Sequence, residues 1–489
     1  MYECYRQNNR NYEKYSDKFP KISSKKKVLP NVKAACILND FSFLCFKYEC
    51  NLIPLNPYNW ENALTSTKPD FLLVESVLHG SNEKWFQSFE KKASPLKNLI
   101  KWCKEHNIPT IFWNTEDPIH FNKYIEAAKL FEYIFTIDSA YIKKYKEYIV
   151  HDNIYPLPLG VQPRIYNPIN NPNSIVKKNP YIMPLTLFEA LACGNITSSA
   201  NIPLKVFRKN SNKDLSFLIN NKLLKNKLSL LCQREVLSNN TYTHILKTIL
   251  NKIGLKYEKN KAGVTIVTST NKANTMDYVF TNYERQNYEN KELIVILNDN
   301  KMDLQEWRDK SSAYKNVRIY QIDESEPLGH CLNFAIERSN FNYISKFDDD
   351  NYYGANFITD LMNTFKYVDT ELVGKLCYYV YLEKSNTLAV ICPNMENRYV
   401  HFLSGSGLII KKEVFDTVKF SSTPQGSDSI FLRECTKNGF RMYSADRFNY
   451  VYIRRASKKE HTWKVSDDVY LKSCEIITVT DNYVPIVSV

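Results

Sequence analysis

Glycine is scarce in this chain, 12 residues of 489, about a third of the usual frequency. Eight of the twelve lie at or after Gly263, so glycine-dependent turns are expected mainly in the C-terminal half. No stretch reaches about 18 apolar residues, so no transmembrane helix is expected. The opening MYECYRQNNRNYEKY has no apolar core, so no secretory signal is expected either. The twelve cysteines form no CxxC pair, and Cys36, Cys45, Cys193, Cys377 and Cys392 sit in apolar runs. They read as buried reduced thiols rather than a disulfide framework, which places the chain in the cytoplasm. The longest lysine run is Lys25 to Lys27, so no nucleic-acid-binding arm is expected.

What remains is a globular composition: 44% hydrophobic and 24% charged residues. The length implies about three domains, or two large ones. The charge balance, 65 − 52 = +13, suits anionic partners such as nucleotide phosphates. Thirty-four tyrosines and 13% aromatic residues supply a core or stacking surfaces for bases and sugar rings.

Residues 1–30 are polar and Lys-rich and read as an arm. From 31 to 165, short apolar runs alternate with amphipathic ones. Strands are expected at 34–38, 71–75, 110–113, 133–136 and 153–157, with a helix carrying Leu96, Leu99, Ile100 and Cys103 on one face. That alternation predicts a parallel sheet in a Rossmann-like α/β module. Residues 166–257 hold an Asn- and Pro-rich stretch, then helical patterns, the first ending at Gly194 and two more within 214–251. A second strand–helix alternation occupies 258–489, with strands at 264–270, 292–298, 317–320 and 343–347. Helices are expected at 275–287 and at 328–339, the latter with Leu328, Cys331, Leu332, Ala335 and Ile336 inward.

The strand at 343–347 runs into Asp348, Asp349 and Asp350. Three adjacent carboxylates repel one another unless a cation balances them. In an extended segment Asp348 and Asp350 point the same way. They are therefore candidates to share one Mg²⁺ or Mn²⁺ with substrate phosphates. The alternative is a solvated acidic turn. Further on, Leu403-Ser404-Gly405-Ser406-Gly407 is a small-residue loop, either a close approach to sugar or phosphate or a tight turn. Asp428 opens a helix, as a functional carboxylate or as its cap.

Several of these segments, in order, resemble the nucleotide-binding half of family 2 glycosyltransferases (GT-A fold). They are VTIVTSTNK, NYERQNYENKELIVILNDN and LGHCLNFAIERSNFNYISKFDDDNYY, and the resemblance covers about 262–465. It implies a metal-dependent transferase using a nucleoside-diphosphate sugar donor and a glycan or glycoconjugate acceptor. The donor would be bound by Thr268, Ser269, Thr270 and Asn271 at the first strand's end, and by Asp299 at the second's. Gly329 and Asn333 match the family's Leu-Gly-x-x-x-Asn helix start, and Asp348, Gly405 and Ser406 complete the donor set. The metal would be held by Asp348, Asp350 and His461. Asp428 falls where inverting members place the general base, with Ser427 in place of the family's Glu. Leu297-Asn298 stands where the family often has two acids.

The first half, with PDFLLVESVLHG, NLIKWCKEHNIPTIFWNTEDPIHF and FEYIFTIDSAYIKKY, resembles the CgeB/YkvP spore-maturation group of GT-B-like glycosyltransferases. Leu187 to Gly194 is similar to that group's donor-site helix, in which the Glu, here Glu189, holds a ribose. Only about twenty residues separate Asn167-Pro168 from Phe188-Glu189, so the second Rossmann domain is expected to be truncated. This resemblance points to surface or spore-layer glycans, and to work at a membrane surface or the developing spore. Two rivals stay open: a bifunctional enzyme with a second activity in the first half, and a non-catalytic scaffold of a glycan assembly complex. Oligomeric state is left open.

Overall fold

The computed structural model describes residues 29, 31–76, 85, 95–169, 187–194, 221–257, 262–423, 426–456 and 466–489. The polar arm lies almost wholly outside them. Six strands, β1 (Lys33–Ile37), β2 (Asn51–Pro54), β3 (Phe71–Glu75), β4 (Thr110–Asn114), β5 (Tyr133–Thr136) and β6 (Ile154–Pro156), form one sheet in the order β2-β1-β3-β4-β5-β6. Every pairing is parallel. β3 and β4 are buried along their whole length, which is why they read as continuous apolar runs. The edge strand β2 was not expected. Its sequence NLIP is half exposed and ends in proline, a signature of sheet edges that carries little periodicity.

The strand order reverses between β1 and β3, where a doubly wound sheet opens its ligand crevice. Here buried groups of the chain bond to one another at that position. Buried Glu75 accepts hydrogen bonds from the backbone N–H and Nδ2 of Asn39, and from the hydroxyls of Ser42 and Thr115. Burial pushes its carboxyl up to about 7, against those donors. A folded-state pKa above the unfolded one means that the folded protein binds more protons between about 4.5 and 7. Its contribution to stability is therefore complete below about pH 4.5 and is lost as pH rises through 7. We expect Glu75→Gln to flatten that decline, read as melting temperature against pH for the two proteins.

The Asn114–Pro118 turn is likewise internally bonded. Asp117 is buried and accepts from Asn114 Nδ2, Thr136 Oγ1 and Tyr145 Oη at 2.6–2.9 Å. Glu116 faces His120 Nδ1 at 3.1 Å. Glu189 is buried beside Tyr166 and Cys193.

Between β6 and residue 263, the described residues contain helices and no sheet strand. They are Leu187–Ala192, ending at Gly194 with φ +76°, Lys222–Asn239 and Tyr242–Lys252. The last packs Tyr242, Ile245, Leu246, Ile249 and Leu250 into the core of the first sheet. The 222–239 helix faces both ways. Cys232 and Val236 join Val161 and Leu191, while Leu230 and Leu237 enter cores of the C-terminal unit. Its Arg234 makes two hydrogen bonds to the Asp360 carboxylate, at 2.8 and 2.9 Å, and one to the Val489 carbonyl. The Asp360 side chain is 1% exposed. Removing one partner of a buried pair leaves the other charge uncompensated. Arg234→Ala is thus expected to cost about 3–5 kcal/mol, measurable by denaturant unfolding.

The C-terminal unit holds an eight-stranded sheet. Its strands are β7 (Val264–Thr270), β8 (Lys291–Leu297), β9 (Val317–Gln321), β10 (Tyr343–Lys346), β12 (Leu372–Gly374), β15 (Arg398–Val400), β16 (Leu408–Lys411) and β17 (Met442–Ser444). They lie in the order β15-β17-β12-β16-β10-β7-β8-β9. β7 to β10 pair in parallel and β16 runs antiparallel to β10 and β12. A second sheet contains β11 (Tyr352–Tyr353), β13 (Tyr378–Leu382), β14 (Thr387–Ile391), β18 (Tyr450–Arg454) and β19 (Cys474–Val479), in the order β11-β18-β13-β14-β19. The helices at 276–285 and 328–337 stand where periodicity placed them. Leu328 is a correction: it is 40% exposed, because it is the first residue of its helix and lies outside the inward stripe. No helix among the described residues is long and apolar enough to cross a membrane.

Candidate active site

The parallel strands β7, β8 and β10 bring their carboxyl ends to one edge of the sheet, where α/β sheets bind ligands. Register fixes this: Thr270 lies opposite Leu297, and Lys346 opposite Val267. Thr270, Asn271, Asp299 and the three aspartates therefore gather from segments up to 80 residues apart in sequence (350 − 270 = 80).

The expected alternation along the aspartates does not hold. β10 ends at Lys346, and Asp349 and Asp350 lie in the turn before β11. Each carboxylate has its own surroundings. Asp348 Oδ1 lies 2.8 Å from Lys346 Nζ, and its Oδ2 accepts from Asn351 Nδ2 at 3.2 Å. Asp349 is buried and accepts from Thr270 Oγ1 at 2.5 Å. Asp350 Oδ2 meets Lys272 Nζ at 3.4 Å. Burial, then Asp348, then Asp349 raise the Asp350 carboxyl. Lys272 is raised in turn, with Asp349 and Asp350 outweighing its burial.

A second carboxylate reaches Lys346 from across the sheet. Asp428 sits in the first turn of the helix Ser427–Lys437, and its Oδ2 is 2.8 Å from Lys346 Nζ. One ammonium, 6% exposed, thus bridges Asp348 and Asp428. Burial works against that charge, but the two carboxylates prevail and hold it above the ordinary lysine range. Asp428 does not cap its helix: the N-cap is Gly426, with no side-chain bond. Its Oδ1 is buried and has no hydrogen-bond partner among the described residues, and burial raises its carboxyl despite Lys346. The small-residue loop closes on it, since a Cβ on Gly405 would come within 2.5 Å of Asp428 Oδ2 and 2.6 Å of its Cβ. Gly405→Ala is expected to displace the carboxylate and lower turnover about as far as loss of Asp428 itself, while the melting temperature stays within a few degrees.

Other expected donor residues have structural bonds of their own. Ser406 Oγ bonds to Tyr450 Oη at 2.8 Å and accepts from Asn351 Nδ2 at 3.1 Å. Tyr353 Oη donates to the Ser406 carbonyl and accepts from the Asp348 N–H, tying the loop to the aspartate turn. Asn333 spends its amide on the backbone of Phe420, and a Cβ on Gly329 would strike the Ser421 carbonyl at 2.0 Å. Both hold the loop before Asp428 against the 328–337 helix. Thr268 is buried within β7, Ser269 is half-buried and Asn271 is exposed. Asp299 Oδ1 accepts from the Lys301 N–H at 2.7 Å. His461 lies outside the described residues.

Among the described residues no group of three or more His, Cys, Asp or Glu side chains converges. The donor set still suits a hard divalent cation. Asp348 and Asp350 offer carboxylate oxygens at the strand-end turn; burial first, then Asp348 and Asp349, raise the Asp350 carboxyl. Sequence reasoning missed Lys346, Lys272 and Tyr353. Lys346 was findable, because a lysine inside the apolar run Tyr-Ile-Ser-Lys-Phe needs acidic partners.

No curated protein matches this chain. Among solved structures, S. aureus TarS 1-349 in complex with UDP-GlcNAc matches at 13% identity and a TM-score of 0.33, covering 43% of this chain and 64% of that one. The mannosyltransferase PcManGT from Pyrobaculum calidifontis, in complex with GDP-Man and Mn²⁺, matches at 15% identity and a TM-score of 0.31, covering 48% and 68%. The chain spans 60% of TarS 1-349 without ligand. Residues 265–418, which run from β7 through the aspartate turn and the Gly-Ser loop, match the family described as Glycosyl transferase family 2. The C-terminal unit carries a glycosyltransferase domain of that family.

Proposed function

We propose that the C-terminal unit transfers a sugar from a nucleoside-diphosphate sugar to a hydroxyl of a glycan or glycoconjugate, with inversion at the anomeric carbon. The observation that carries this reading is Asp428: a carboxylate 31% exposed, held by Lys346 beside Asp348 at the ligand edge of the sheet. A base so placed takes the proton of the attacking hydroxyl, and a single displacement inverts the carbon. Thr270, Asn271 and Asp299, at the ends of β7 and β8, would seat the nucleoside. Asp348 and Asp350 would hold Mg²⁺ or Mn²⁺ on the donor, where the ion neutralises charge on the leaving diphosphate. Lys272 adds fixed positive charge beside them.

For the N-terminal unit we infer a GT-B-like Rossmann half of the CgeB type with a truncated second half, whose described residues form helices, one of which docks the catalytic unit. Its carboxylates at the sheet edge, Glu75 and Asp117, are bonded within the unit, which favours one active site over two. A surface or spore-layer glycan as acceptor, and a cytoplasmic site of action, complete the reading. The test is turnover of a panel of nucleotide sugars with Mn²⁺ by the full chain, with nucleoside diphosphate release as readout. Release that requires metal and is lost in Asp428→Asn supports the reading, whereas the scaffold alternative requires no release with any donor.

A further inference from the structure

Asp348 and Asp428 are joined by a charged route and by a neutral one. The charged route is Lys346, whose Nζ lies 2.8 Å from each carboxylate. The neutral route runs through the backbone. Tyr353 Oη accepts from the Asp348 N–H at 2.8 Å and donates to the Ser406 carbonyl at 3.0 Å. Ser406 follows Gly405, where a Cβ would come within 2.6 Å of the Asp428 Cβ. In the same loop the Gly407 N–H bonds to the Ser404 carbonyl at 3.2 Å, and the Ser404 N–H to the Lys375 carbonyl at 2.7 Å. The loop is a tight turn, so what holds Ser406 also holds Gly405 against Asp428.

The phenol has little freedom of its own. Tyr353 is fully buried. Its ring stacks on Phe347 with 3.7 Å between centroids and 3° between planes, and meets Phe357 edge-on at 5.2 Å. Its backbone is paired with Tyr450 in the second sheet. A packed ring on a paired backbone fixes the place of Oη. That oxygen donates to the loop that abuts Asp428 and accepts from the turn that carries Asp348. Lys346 thus sets the charged ends of the two aspartates, and the phenol sets the backbone beside them. We propose that Tyr353 is a positioning residue of the transferase, which fixes the spacing between the metal carboxylate Asp348 and the base Asp428. This role rests on the function proposed for those two aspartates.

Tyr353→Phe in the full chain tests it, because the change keeps the ring and removes only the oxygen. Tyr283→Phe is the control. Tyr283 is also buried, and its Oη donates to the Lys315 carbonyl at 2.8 Å, just before β9 and at the amino ends of the strands. Both variants are assayed well below their melting temperatures. Tyr353→Phe is expected to lower kcat by about tenfold to a hundredfold, the scale of a misplacement near 1 Å, with the donor KM changed by less than about threefold. Mn²⁺ binding in the presence of UDP, read by calorimetry, should weaken about tenfold. Tyr283→Phe should lose stability alone and keep wild-type kcat and Mn²⁺ affinity. In a Gly405→Ala background, where Asp428 is already displaced, Tyr353→Phe should reduce kcat little further. The role is overturned if Tyr353→Phe keeps wild-type kcat or wild-type Mn²⁺ affinity, if the two phenylalanine variants lose kcat equally, or if the losses of Tyr353→Phe and Gly405→Ala multiply in full. A wild-type chain that releases no nucleoside diphosphate and binds no Mn²⁺ fails the proposed function and this role with it, whereas a working wild type matched by Tyr353→Phe fails this role alone.

Discussion

Asp428→Asn is expected to lower transfer by about 10²–10⁴, the usual contribution of a general base, while donor affinity and fold are kept. The fold should survive because Asp428 caps nothing and Lys346 retains Asp348 as its counter-ion. Nucleoside diphosphate binding by calorimetry, melting temperature and product formation separate the three effects. Lys346→Met is expected to impair transfer too, but through Asp428. It also leaves Asp348 and Asp428 as two carboxylates without their ammonium, at a cost of about 3–5 kcal/mol. In the Asp428→Asn background the same Lys346→Met change should reduce transfer little further, because groups acting as one unit are not additive. Full additivity of the two losses, or transfer retained by Asp428→Asn, removes Asp428 as the base.

The parallel strands β1, β3, β4 and β5 of the first sheet and β7, β8 and β10 of the eight-stranded one could be read from sequence because they are buried, whereas the short interior strands β12 and β17 were not expected. A continuous apolar run as short as Phe71 to Val74, set between turn residues, fits a strand covered from both sides and little else. The edge strand β2 could not be read, since a half-exposed strand of four residues leaves no period to count. The helices at 222–239 and 242–252 were visible as patterns, but their destinations were not. Nothing in the order of apolar residues says that Ile245 enters the first sheet's core while Leu237 enters that of the C-terminal unit. That division depends on which faces are left open once the sheets have formed.

At the site, position along the chain located the aspartates and Asp428, because strand ends and helix starts are local features. The bonding between them was hidden. Asp428 meets Lys346 across 82 residues, and Asp349 meets Thr270 across 79. Gly329 and Asn333 looked like ligand groups and serve as braces for the loop at Phe420 and Ser421. Their residue types suit either task, and only the three-dimensional partner tells the two apart.

The aspartate turn yields the second large effect, a ranking of its members. Asp348 is shared between Lys346 and Asn351, and Asp349 is bound to Thr270. Asp350 has the weakest engagement, one contact with Lys272 at 3.4 Å, and the lone pairs it keeps are those a metal takes. Its raised carboxyl also means that the ionised form is held at a cost when no divalent cation is present. Asp350→Ala should therefore weaken Mn²⁺ binding at least tenfold in calorimetry with UDP present, abolish metal-dependent release from the donor, and leave the melting temperature equal or higher. Asp348→Ala should abolish release as well but lower the melting temperature, since it strips Lys346 of one partner. Asp349→Asn should retain most activity, because the amide oxygen still accepts from Thr270. Equal losses of Mn²⁺ affinity in all three variants, or release unaffected by a chelator, would show that the turn is a structural acidic corner and that the metal lies elsewhere.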